Sequence, residues 1–254
     1  MALVRTLHGA PQDKTAGTSY APTLGVAAVP VGSLAVLAIA CDNSAGTGSS
    51  PIVSVNDARG HTWTQQITAT QDPGAADAGT TLEVWTTRVT TQIEIGDAIT
   101  ISFGSTSVTA KTVRLVSWAS DTGGMLATLT GGKNTAVGSG TAPTITTDSI
   151  TSGQAVHALV ASETDTAGTG DADTTNGSWS AEGSSGTTGG GAASNMRLAF
   201  QSKITTGTGT QTYNPTIVSS DFVIGWLGIT EELVPPRSPV FVVPSQAAQR
   251  ASRW

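Results

Sequence analysis

The ten residues Gly32–Cys41, GSLAVLAIAC, constrain this chain more than any other stretch. They are apolar on both alternating faces: Leu34, Val36, Ala38 and Ala40 on one, Ala35, Leu37, Ile39 and Cys41 on the other. At ten residues the run is too short to span a membrane. Periodicity alone leaves helix and buried strand open, because a short apolar run reads as either. The glycine before it, Asp42-Asn43-Ser44 after it and the Thr-rich context favour a central strand of a packed sheet. Gly153–Ser162, GQAVHALVAS, repeats the pattern. Two such strands in one chain point to an all-β sandwich.

Composition supports that class. Charged residues make up 12% of the chain, against roughly 25% in an ordinary soluble domain. Thr favours strands and Gly and Ser favour turns, so many short strands and loops are expected. Trp, Val, Ile and Leu recur in strand-like alternation, which argues against disorder. The net charge of −6 argues against nucleic-acid binding by a basic surface. Cys41 is the single cysteine, so no intrachain disulfide forms. The opening MALVRTLHGAPQDK has no apolar h-region. A secretory signal is therefore not expected, and assembly in a cytoplasm is.

Strands are predicted at residues 2–9, 18–24, 32–41, 52–55, 61–67, 81–89, 97–103 and 109–118, with Ile99, Ile101 and Phe103 facing inward. The second half replays the first. GQAVHALVAS stands for GSLAVLAIAC, Gly177-Ser178-Trp179-Ser180 for His61-Thr62-Trp63-Thr64, and residues 222–229 for the strand ending at Trp118. LAFQSKITT stands for EVWTTRVTT, pairing Phe200 with Trp85 and Ile204 with Val89. The expected architecture is one large antiparallel, jelly-roll-like sandwich over residues 1–232. Its halves, about 1–120 and 141–232, supply one sheet each, joined by a connection over 125–143.

Residues 233–254, LVPPRSPVFVVPSQAAQRASRW, have a different character. Prolines at 235, 236, 239 and 244 block both ladder pairing and helix, so an extended arm is expected. Val240, Phe241, Val242 and Val243 form a β-prone apolar run, and Trp254 ends the chain. Arg237, Arg250 and Arg253 are its charges; subtracting these three from the net −6 leaves −9 on residues 1–232. These eight residues are the candidate partner-binding site: the apolar run for a partner's strand edge or groove, the arginines for acidic groups on a neighbour.

No catalytic constellation is spelled out. There is no G-x-S-x-G elbow, and His8, His61 and His157 are isolated. His157, in mid-strand, reads as a core or interface histidine. Zinc would need clustered Cys or His. Asp171-Ala172-Asp173-Thr174-Thr175-Asn176-Gly177 approaches a calcium loop but misses the EF-hand spacing by one residue, leaving a solvated acidic loop as the expectation. Glu83 and Glu94 are the strand-borne candidates for a glycosidase pair, although Glu83 shares a face with Trp85. Trp63, Trp85, Trp118, Trp179 and Trp226 could stack sugars, but their matched positions suit a core or interface better. No cofactor is expected.

VNDARGHTWTQQ resembles the V-x-D-x-x-G-N-T-W-T hairpin of a duplicated β-sandwich domain found in bacteriophage tail and virion proteins and some bacterial surface proteins. GSLAVLAIA is similar to that domain's G-D-L-L-V-x-A-V-A strand, TLEVWTTRVT to its S-I-W-Y-A-x-N-V-T strand, and VRLVSWAS to the strand ending its first half. His61 stands where the family has Asn, and Thr86-Thr87 where it has Tyr-Ala. The resemblance implies a structural or adhesive role without catalytic residues. The expectation is a non-enzymatic virion protein, a minor tail, tail-tip or capsid-decoration component, contacting other virion proteins and copies of itself. A module recognising host surface glycans is the alternative. Neither nucleic-acid binding nor membrane insertion is expected.

Overall fold

The doubly apolar run forms the middle strand of a sheet covered on both sides. The computed structural model describes residues 3–44, 46, 48–75, 78–121, 125–180, 183–191 and 194–233, and it is all-β. The first half contributes β1 (Leu3–Gly9), β2 (Gln12–Asp13), β3 (Ser19–Tyr20), β4 (Leu34–Asp42), β5 (Ser54–Asp57), β6 (Thr64–Gln71), β7 (Thr80–Arg88), β8 (Ile99–Ser102) and β9 (Lys111–Ser120). The second contributes β10 (Met125–Gly140), β11 (Ile145–Thr146), β12 (Ala155–Ser162), β13 (Ser184–Gly186), β14 (Arg197–Ile204), β15 (Thr212–Tyr213) and β16 (Ser220–Leu233). All named pairings are antiparallel. One sheet runs β1-β9-β4-β7-β6, with β2 also against β9, and the other runs β10-β16-β12-β14-β13.

These two sheets pack face to face. Leu34, Val36, Ala38 and Ala40 of β4 share a core with Ala155, Leu159 and Ala161 of β12, joined by Trp118, Phe200 and Ile229. The opposite face of β4, Ala35, Leu37, Ile39 and Cys41, packs against an outer layer holding Val55, Ile99, Ile101 and Phe103. That layer is the three-stranded sheet β3-β8-β5. Behind β12, Val156, Ala158 and Val160 pack with Trp179, Tyr213, Ile224 and Trp226 under the smaller β11-β15 pair. Each half is thus itself layered, where one sheet per half was expected. The extra layers explain why the central strands are apolar on both faces. Leu37 and Ile39 are fully buried, and such a side chain contributes about 1.5–3 kcal/mol.

The halves agree in detail. The Gly32 amide donates to the Val89 carbonyl at 2.8 Å, and the Gly153 amide to the Thr205 carbonyl at 2.7 Å. Gly32 and Gly153 take φ of 87° and 86°, a left-handed conformation that glycine adopts without steric cost. Beyond the central strands, the Asp42 amide bonds the Ala110 carbonyl as the Glu163 amide bonds that of Asp221. These pairings correct the repeat alignment by one residue. Leu37 faces Trp85 across the ladder, and its counterpart Ala158 faces Gln201, so Trp85 corresponds to Gln201 rather than Phe200. Phe200 instead points into the core between the sheets. A slip of one residue exchanges the two faces of a strand.

A second correction concerns residues 125–140, expected as connection. They form β10, paired with β16 from Met125↔Leu233 to Gly140↔Ser220. A bulge falls between Leu129 and Lys133, where a Cβ on Gly132 would lie 2.8 Å from the Trp226 ring. Any larger residue there displaces that buried indole. Polar contacts also tie the halves together. Arg5 Nη1 donates to Ser202 Oγ, Thr112 Oγ1 to Ser185 Oγ, and the Gly186 amide to Gln12 Oε1.

Candidate functional site

Arg237, Val240, Phe241, Val242, Val243, Arg250, Arg253 and Trp254, the predicted partner-binding residues, lie outside the described residues. The chain leads into them from β16, which ends beside Met125. Two residues earlier Ser120 donates to Glu231, and Ser120 pairs with Leu3 of β1. β16 therefore ends at the side of the molecule where edge strand β1 begins.

The hairpin that carries the family resemblance is held by one carboxylate. Asp57 accepts the Arg59 amide at 2.7 Å, Trp63 Nε1 at 2.6 Å and His61 Nδ1 at 3.0 Å. His61 Nε2 accepts the amides of Thr90 and Thr91, both at 3.2 Å, which places its proton on Nδ1. Burial pushes the Asp57 carboxyl up, but these hydrogen bonds outweigh it and hold it below its usual range. His61 thus bridges Asp57 to the next loop. Asp57, His61 and Trp63 are satisfied by one another and serve the turn.

The other candidates are likewise dispersed into the scaffold. Glu83 is buried, accepting Trp85 Nε1 at 2.6 Å and Thr68 Oγ1 at 3.2 Å, while Glu94 is exposed in a loop. A carboxylate with no exposed surface cannot address a polysaccharide. Asp171 accepts the amides of Asp173 and Asn214, and Asp173 pairs with the Lys203 ammonium at 2.9 Å. The acidic loop is thus already neutralised and partly buried, rather than simply solvated. Among the described residues no group of three or more His, Cys, Asp or Glu is placed to hold a metal. Trp63, Trp118, Trp179 and Trp226 are buried and Trp85 is half-buried. His8 bonds the Ala27 carbonyl and Ser117. His157 is buried between the sheets, against Trp118 and Phe200, with Nδ1 unpartnered. Burial and then Arg5 and Arg114 lower its pKa to about 3.

Glu163, just past the end of β12, is a carboxyl pushed near neutrality. Burial raises it to about 7, with Asp221 and Asp42 adding repulsion. It accepts the Gly79 amide from the first half at 3.1 Å, and its Oε1 is buried without a partner.

The feature that sequence reasoning missed is a cavity of about 260 Å³ on the outer face of β12 and β14. Val160, Ala199, Tyr213, Pro215 and Ile217 supply apolar wall, with Ser162, Gln201 and Arg197 among the polar groups. Ladder pairing shows its origin. Ile39 faces Glu83 and its counterpart Val160 faces Ala199, so Glu83 and Trp85 of the first half are replaced by Ala199 and Gln201. The Glu83 side chain is lost at Ala199 and the Trp85 indole is exchanged for the smaller Gln201 side chain, and the space stays open. Gln201 is occupied by the backbone of Asp171. Arg197 donates to Ser184 Oγ at 2.9 Å and the Asp165 carbonyl at 2.5 Å, while its Nε has no partner. The repeat comparison could have exposed this cavity had its register been right.

No protein-family model, curated protein or solved structure matches this chain.

Proposed function

We propose that this chain is a non-enzymatic structural protein of a bacteriophage particle. It would serve as a minor tail, tail-tip or capsid-decoration component assembled in the host cytoplasm. One observation carries the reading: the residues behind the family resemblance are those that hold the fold. Asp57, His61 and Trp63 lock the hairpin, and Gly32 turns the chain into β4. The resemblance is therefore architectural. The matching strand order and turn bonding support descent of the two halves from one unit. In this reading residues 233–254 tie the sandwich to other virion proteins or to copies of itself, with Phe241 and Trp254 as apolar anchors and the three arginines meeting acidic groups. The test is complementation with a copy lacking residues 233–254. The truncated protein should remain folded and disappear from purified particles; unchanged occupancy would remove the anchoring role.

The second reading, a glycan-recognising module, is favoured by the cavity alone. Of the five tryptophans it would otherwise use, Trp63, Trp118, Trp179 and Trp226 are packed inside and Trp85 is half-buried.

A further inference from the structure

The open cavity of the second half has a shape and a charge that specify a ligand. Its volume of about 260 Å³ lies below the ~300–1,000 Å³ of drug-sized sites. It exceeds the roughly 150 Å³ apolar cavity that admits benzene. One six-membered ring with a small substituent fits. The walls from Val160, Ala199, Tyr213, Pro215 and Ile217 suit the face of a ring. The single charge is cationic: Arg197 lines the cavity, and among the described residues it makes no ion pair. Its two named acceptors, a serine hydroxyl and a backbone carbonyl, are neutral. The Asp165 carboxylate supports the Arg197 charge from beyond ion-pair distance; a guanidinium has five N–H donors and cannot shed its proton, so direct pairing with a ligand anion remains open to it. The backbone around the cavity is closely packed. A Cβ on Gly168 would lie 2.3 Å from the Thr216 carbonyl, and one on Gly170 2.5 Å from Gln201 Oε1. Glycine at these two positions is therefore required by the close approach of neighbouring chain beside the cavity.

We propose that this cavity binds a six-membered ring bearing a carboxylate, with the carboxylate on Arg197 and the ring against Tyr213, Val160 and Ile217. Two sources share this chemistry, an acidic sugar at the end of a glycan and a free aromatic acid. The first would deepen the glycan-recognition reading; the site itself does not rest on the particle role.

The test is two-dimensional amide NMR of the full chain titrated with glucuronate and with benzoate. Glucose and benzamide serve as uncharged counterparts. At least one acid should shift amides of Thr169, Ser184, Ala199 and Tyr213 in a saturable manner, about tenfold more tightly than its neutral counterpart. Arg197→Met should abolish that preference. Ala199→Leu, which fills the cavity, should remove binding while leaving the melting temperature unchanged or higher. Saturation by glucuronate alone identifies the sugar source, and by benzoate alone the aromatic one. No saturable shift with either acid overturns the proposal, as does equal binding of acid and neutral counterpart. Because the acid-to-neutral comparison uses the unmodified chain, misfolding of a variant leaves the decision intact.

Discussion

Replacing His157 by leucine should flatten the acid dependence of stability. The imidazole lies in the core between the two main sheets, 1% exposed, 4.9 Å from the Phe200 ring and 6.1 Å from Trp118. Arg114 stacks over the same Phe200 at 4.2 Å, so a charged imidazole would stand in a dry space already holding a cation. The folded pKa of about 3 lies below the ordinary 6.5. The unfolded chain therefore takes up the proton first, and the stability contributed by neutral His157 is present above pH 6.5 and lost as pH falls toward 3. At 1.36 kcal/mol per pH unit, that loss amounts to about 2 kcal/mol between pH 7 and pH 5. This is a large fraction of a typical 5–15 kcal/mol total. Leucine suits the neighbours Trp118 and Phe200 and carries no titrating group. Urea unfolding followed by tryptophan fluorescence at pH 7 and pH 5 should show the parent losing about 2 kcal/mol more than His157→Leu. Equal losses in the two proteins would refute the placement of a neutral, buried imidazole.

Glu163 works in the opposite direction. Its folded pKa of about 7 lies above the ordinary 4.5, so its contribution is full below pH 4.5 and lost as pH rises through 7. Glu163→Gln should flatten stability over that window, measured by the same unfolding series; an unchanged slope would contradict its burial beside Asp221 and Asp42. Ile101→Asp places an unpaired charge at a fully buried position of β8 and should cost more than about 4 kcal/mol, abolishing the cooperative melt. A parental melting curve would show that the facing of β8 is misassigned. Trp63→Phe removes the 2.6 Å bond to Asp57 and should destabilise by about 1.5–3 kcal/mol in denaturant unfolding. A neutral effect would mean that the Asp57 turn does not depend on the indole.

Much of the fold was legible because alternation survives burial. The two faces of β4 separate as Leu34, Val36, Ala38 and Ala40 from Ala35, Leu37, Ile39 and Cys41, and Ile99, Ile101 and Phe103 turn inward. GSLAVLAIAC and GQAVHALVAS read alike because each is a central strand that needs apolar residues on both faces where its sheet is covered twice. β10 was not legible, since MLATLTGGKNTAVGSG is glycine-interrupted and only partly apolar, as an edge strand with a bulge can be. Phe200 misled the alignment because an aromatic opposite an aromatic is an attractive match, whereas only ladder pairing tells which face each occupies. The cavity escaped for the same reason: it arises from the absence of Glu83 and Trp85 equivalents at Ala199 and Gln201. The outer layers rest on strands as short as β3 and β11, whose two residues carry no period.

A virion role requires that this sandwich be built into a particle. The decisive measurement is quantitative mass spectrometry across a density gradient of phage particles produced with an isotope-labelled copy of this chain. As a virion component, the chain should band with intact particles at a fixed copy number relative to the major capsid protein and stay there through a high-salt wash. Recovery of the chain only in the soluble fractions at the top of the gradient would contradict that role.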